Sequence, residues 1–101
     1  MPYYAVVHLK LKDDSWIADY LPNVTEIAHK HGGRYLARTP EITQVEGQDA
    51  PDVVALIEWP SKEAAEAFYN DPDYQPYLKN RLDGTDSQFL LVKGEDILNK
   101  Q

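Results

Sequence analysis

The chain contains no cysteine, which excludes disulfides, thiolate metal sites and cysteine nucleophiles before any other residue is considered. Positive charge is also scarce: ten Lys and Arg stand against seventeen Asp and Glu, a formal net charge of -7. A polyanion must be met by a basic stripe, and these ten are scattered, so no nucleic-acid partner is expected. No apolar run approaches the ~20 residues of a membrane span, and MPYYAVVHLKLK lacks the zones of a secretory signal. The expectation is a cytoplasmic protein without membrane contact. Glycine is sparse as well, and the one pair, Gly32-Gly33, follows a helical pattern instead of opening one. That is the wrong context for a phosphate-cradling loop or a dinucleotide fingerprint. No Ser/His/Asp arrangement is seen, and His29 and His31 stand two apart where a helical metal pair needs four. Neither a metal nor another cofactor is expected.

What is present is enough for one core. With 101 residues, 43% of them hydrophobic, the chain is long enough for a single domain and too short for two. The expected division is a domain over residues 1–94 and a tail over 95–101.

Tyr3 to Lys12 alternates, with Tyr3, Ala5, Val7, Leu9 and Leu11 on one face and Tyr4, Val6, His8 and Lys10 on the other, which predicts a first strand. Asp13-Asp14-Ser15 offers side-chain oxygens to a helix start. Ile17, Tyr20, Leu21, Val24, Ile27, Ala28 and His31 then keep the spacing of one buried helical face, with Pro22 predicting a kink or an early stop. Gly32-Gly33 closes the helix. A second strand begins at Arg34; its alternation resumes over Ile42 to Glu46, predicting a long, bent strand that turns back near Gly47 to Pro51. Val53 to Ile57 is apolar without alternation, a third strand that needs cover on both faces. Ser61 caps a second helix, Asp71-Pro72 opens a further one carrying Tyr74, Tyr77, Leu78 and Leu82, and Ser87 to Lys93 is a fourth strand.

The order strand, helix, strand, strand, helix, strand is that of an α+β, ferredoxin-like βαββαβ subunit. Right-handed crossovers give it a four-stranded antiparallel sheet ordered 4-1-3-2 with the helices on one face. Val6, Val54 and Leu56 then lie on the other face, too apolar to leave in water, so a homodimer is expected.

Gly32-Gly33-Arg34-Tyr35-Leu36, Glu58-Trp59-Pro60-Ser61 and Phe68-Tyr69-Asn70 with Tyr74-Gln75 resemble, in residues and order, a bacterial domain-of-unknown-function family, DUF1330, of the dimeric α/β barrel superfamily. The resemblance spans Tyr3 to Lys93. It implies a ferredoxin-like subunit and a dimer, and no reaction. Where that family usually carries a second glycine pair, this chain has Thr39-Pro40. More distant members of the superfamily include cofactor-free monooxygenases, haem-dependent enzymes and muconolactone-type isomerases; no residue is carried across that distance.

Four residues stand out as candidates for chemistry. His31 ends a buried helical face, and histidine as a residue type suits proton transfer, so it is a general base or simply packs the helix end. Arg38, placed with Arg34 on one strand face by the period of two, would clamp a carboxylate or enolate, or pair with an acid. Glu58 needs a partner if buried. Tyr69 belongs to an aromatic set in which Tyr3, Tyr35, Trp59 and Tyr74 are candidate ligand contacts, with a gap expected between Tyr3 and Trp59 under the second helix. Two functions fit: a cofactor-independent enzyme or binder of a small aromatic or carboxylated metabolite, or a non-catalytic dimeric interaction module.

Overall fold

Alternation and helical spacing translate into seven elements in a computed structural model that describes residues 1–99. They are β1 (Tyr3–Leu11), α1 (Ile17–Lys30), β2 (Arg34–Thr39), β3 (Val53–Trp59), α2 (Lys62–Tyr69), α3 (Gln75–Gly84) and β4 (Thr85–Lys93). Lys100 and Gln101, the end of the expected tail, lie outside the described residues. The strands form one sheet in the order β2-β3-β1-β4, antiparallel throughout. This is the ferredoxin-like α+β fold, with the order 4-1-3-2 that the sequence implies. Among the described residues no helix is long and apolar enough to cross a membrane.

Cross-strand pairing fixes which side chains meet the helices. Tyr3 opposes Trp59, Ala5 opposes Ile57 and Val7 opposes Ala55, so these share one face. Ala5, Val7, Ile57 and Trp59 pack there against Val24 and Ala28 of α1, Ala65 and Phe68 of α2, and Tyr74 and Leu78. Packing is close where α1 ends. Gly32 turns the chain at φ +84, a conformation that favours glycine. At Gly33 a Cβ would lie 2.7 Å from the Trp59 ring, so only a bare backbone fits.

Several local expectations are corrected. β2 ends at Thr39, and residues 41–46 form no strand; Val45 is 88% exposed, because alternation without a partner strand or a covered face has nothing to stabilise it. The returning loop is instead held where Asp52 accepts from the Leu11 N–H at 2.8 Å and donates its own N–H to Leu9 at 2.8 Å. Asp13 does not cap α1; its carboxylate accepts from the Ser15 N–H and hydroxyl in a local turn. Those bonds, the hydroxyl's first, hold the Asp13 carboxyl below its ordinary pKa. α1 runs through Pro22, since both Pro22 and Ala18 face solvent, where a carbonyl without its helical partner can be hydrated. Asp71-Pro72 forms a turn, and α3 starts at Gln75. Ser61, as expected, accepts from the Ala64 N–H at 3.0 Å.

The largest correction concerns the edge strand. The ladder pairs Tyr35 with Ile57, then Ala37 with Leu56 and Arg38 with Ala55, leaving Leu36 as the extra residue of a β-bulge. Arg34 and Arg38 therefore lie on opposite faces. Arg34 sits opposite Glu58 on the uncovered side, where Tyr4, Val6, Val54, Leu56, Leu90 and Val92 also lie.

Candidate functional site

The layer between sheet and helices is not filled along its whole length. Between β1, β3 and the N-terminal half of α1, with α3 and its approach behind, lies a cavity of about 230 Å³. Leu9, Val53 and Ala55 form its floor, Tyr20 and Phe89 its sides, and Arg38 stands exposed at its rim. An apolar cavity of about 150 Å³ takes a benzene ring, so this one has room for a single ring with a short substituent. Its polar atoms are few and grouped. The Tyr20 and Tyr74 hydroxyls are 2.9 Å apart. Arg81, only 2% exposed, donates from Nη1 to the Ser87 hydroxyl at 2.9 Å and reaches the Tyr74 hydroxyl from Nη2 at 3.5 Å.

Electrostatics follow from burial. Desolvation, and next the neighbouring Tyr74, push the Tyr20 phenol well above its ordinary pKa. Burial also raises Tyr35, with Arg38 pulling the other way. For Arg81 burial opposes the charge, but the Tyr20 and Tyr74 oxygens outweigh it and its pKa is raised; the guanidinium stays charged. Among the described residues no carboxylate and no histidine line the cavity. Among the described residues no three His, Asp or Glu side chains converge as a metal set.

The model of the family described as "Domain of unknown function (DUF1330)" matches residues 2–95. The chain belongs to this family. A protein of unknown function from Rhodopseudomonas palustris shares the DUF1330 domain's fold at 19% identity and a TM-score of 0.81, over 94% of this chain and 83% of that one. A dimeric ferredoxin-like protein of unknown function from Jannaschia sp. CCS1 matches at 12% identity and 0.65, over 92% and 99%. SnoaB, a cofactor-independent oxygenase from Streptomyces nogalater, matches at 10% identity and 0.61, over 98% and 96%. These likenesses are of fold. No curated protein matches the sequence.

The residues singled out in the sequence fall in three places. Tyr35, Arg38 and Tyr74 line the cavity of this DUF1330 domain. Arg38 lies 3.7 Å over the Tyr35 ring and donates to the Thr25 hydroxyl at 2.7 Å, tying β2 to α1. His31 lies outside, donating from Nε2 to Asp71 at 2.7 Å, with Lys30 at 3.2 Å from the same oxygen; this joins the end of α1 to the turn before α3. Glu58 is on the opposite face of the sheet, paired with Arg34 at 2.8 Å. Tyr69 packs edge-on against Tyr74 and Phe89 outside the cavity. Tyr3 and Trp59 do share the helix-facing side, but the cavity lies at the other end, and Trp59 is wholly buried against Phe68 at 5.0 Å.

Arg81 was missed, and a signal for it existed. Tyr74, Leu78 and Arg81 keep the i, i+4, i+7 spacing of one helical face, and all three are buried. Side-chain polarity pointed instead to Leu82, which is 48% exposed.

Proposed function

We propose that the domain binds a small, mostly apolar, single-ring organic molecule in the cavity under α1 and α3, as one subunit of a homodimer. The observation that carries this reading is the cavity itself: about 230 Å³, apolar walls, and a few polar groups gathered on one side, the anatomy of a small-molecule site. Tyr35, Arg38 and Tyr74 are the contacts we assign from the sequence-derived set. Binding fits the lining better than general-base catalysis. A proton taken from a ligand would have only the phenols to go to, and burial makes Tyr20 a harder group to ionise, so the site suits a molecule that arrives in its final charge state. That SnoaB acts without a cofactor on this fold is in keeping with a subunit that handles a small organic molecule with its own side chains. The dimer contact we assign is the uncovered face, where Val6, Leu56, Leu90 and Val92 lie side by side; two such sheets packed face to face would bury them. The Jannaschia protein, described as dimeric, supports this.

The test is a thermal-shift screen with single-ring aromatic acids, amides and alcohols. A ligand at 100 times its Kd adds about 2.7 kcal/mol, roughly 10 to 20 °C for a domain this size. Ala55→Leu, which places a larger side chain in the cavity floor, is expected to remove the shift. A screen in which nothing moves the parent's melting point overturns the reading.

A further inference from the structure

The cavity wall holds a charge that nothing among the described residues balances. Arg81 is 2% exposed, yet it takes part in no ion pair; its partners are two neutral hydroxyls, Ser87 at 2.9 Å and Tyr74 at 3.5 Å. Among the described residues its Nε–H has no hydrogen-bond partner. Every other arginine contact is of an ordinary kind: Arg34 is paired with Glu58 at the surface, and Arg38 is exposed, stacked on Tyr35 and bonded to Thr25. Trp59 also has a buried, unpartnered N–H, but it is uncharged and lies away from the cavity. A buried guanidinium without a carboxylate is costly to keep, and buried donors in folded proteins are almost always satisfied. Arg81 lines the cavity, so a molecule placed there can meet it.

We propose that Arg81, with the paired hydroxyls of Tyr20 and Tyr74, forms an anion-holding end to the cavity, and that the ligand is a single-ring aromatic carrying one carboxylate or comparable oxyanion. This rests on the cavity being a ligand site. A carboxylate matches the donors of a guanidinium, and since one of the paired Tyr20 and Tyr74 hydroxyls donates to the other, one O–H is left to donate to the same oxygens. The apolar walls take the ring. The cavity's size, enough for one ring and a few more atoms, allows a benzoate-, phenylacetate- or cinnamate-sized molecule. Arg38, exposed at the rim, draws an anion towards the opening without being desolvated. An overall charge of -7 repels anions from the rest of the surface, so selectivity falls to these two arginines.

The experiment compares matched pairs by calorimetry and thermal shift on the full chain: benzoate with benzamide, phenylacetate with phenylacetamide, and trans-cinnamate with cinnamamide. The acids are expected to bind more tightly than their amides by about tenfold or more. Arg81→Gln should abolish that difference while leaving amide binding in place; Arg81→Lys should keep part of it. The pairs need no variant, so the comparison stands if Arg81→Gln fails to fold. Equal binding of acids and amides, or tighter binding of the amides, overturns the charge assignment and leaves the cavity reading intact. Acid preference that survives Arg81→Gln overturns the role of Arg81. Failure of all six compounds, with neutral alcohols of the same size binding, also overturns it; failure of every compound overturns the cavity reading and this inference together.

Discussion

The two ends of the layer between sheet and helices are built from the same kinds of residue and come out differently. At the end where α1 stops, Ala28, Gly33 and Trp59 leave no gap: Trp59 and Ala28 are wholly buried, and Gly33 is in contact with the Trp59 ring. At the end where α1 starts, Leu9, Val53 and Ala55 face a cavity of about 230 Å³. The difference lies in who fills the space. Small residues on α1 and in the following turn let its end settle against a large ring from the sheet. At the start of α1 the large rings, Trp16 and Tyr20, are on the helix and pack on each other at 5.0 Å, above a floor of smaller side chains. A large ring fills the layer at one end, and a cavity is left at the other.

Truncation should expose that contrast most strongly. Trp59→Ala is expected to cost about 3 to 5 kcal/mol, and Leu9→Ala, whose side chain already faces empty space, about 2 kcal/mol at the low end of such changes. Urea titrations of both variants measure the gap; equal losses would mean that the two ends are packed alike. Next in size is Gly33→Val, expected to lose about 1 to 3 kcal/mol because its side chain collides with a ring that has nowhere to go. A melting point within a degree or two of the parent would mean that the end is looser than its geometry implies. At the other end the sign should reverse: Ala55→Leu is expected to gain about 0.5 to 2 kcal/mol by filling space.

The smallest effect concerns acid. His31, most of all, and the Asp73 N–H hold the Asp71 carboxyl at about 2, below its ordinary 3.8. A carboxyl lowered on folding contributes stability that is fully present above the ordinary value and is lost as pH falls through the folded one. Melting points should therefore drop between pH 4 and pH 2, and Asp71→Asn should flatten that part of the profile. An unchanged slope would show that the contact between the end of α1 and the turn before α3 carries little.

The sheet and its order were legible because each strand repeats its pattern often enough to fix a face, as Tyr3, Ala5, Val7 and Leu9 do. Ser61 was legible because a cap depends only on its next three residues. The cavity was not. Period-two counting put Arg34 and Arg38 together, since a bulge depends on how the partner strand pairs and leaves no mark in alternation. Residues 42–46 alternate as a strand does yet find no neighbour. Arg81 was hidden by its own polarity, since spacing alone would have placed it inward. Asp13 competes for two donors nearer than the helix start, a choice that the order of residues does not reveal.

The bulge at Leu36 has an effect on both sides of the molecule at once. Every ladder pair from Arg34 to Thr39 forms as if Leu36 were missing; it shifts the phase of the pleat by one. With Leu36 in the ladder, Arg38 would emerge on the same side as Arg34, beside Val54 and Leu56. That side would then present two guanidiniums to one carboxylate, Glu58, and a second sheet could cover it only by stripping water from an uncompensated cation. Set aside by one position, the same arginine leaves that side neutral in its paired charges and stands at the rim of the cavity instead. One unpaired leucine thus sorts charge between a surface suited to being covered and the rim of the cavity, and deleting Leu36, which leaves every ladder pair as it is, should preserve both.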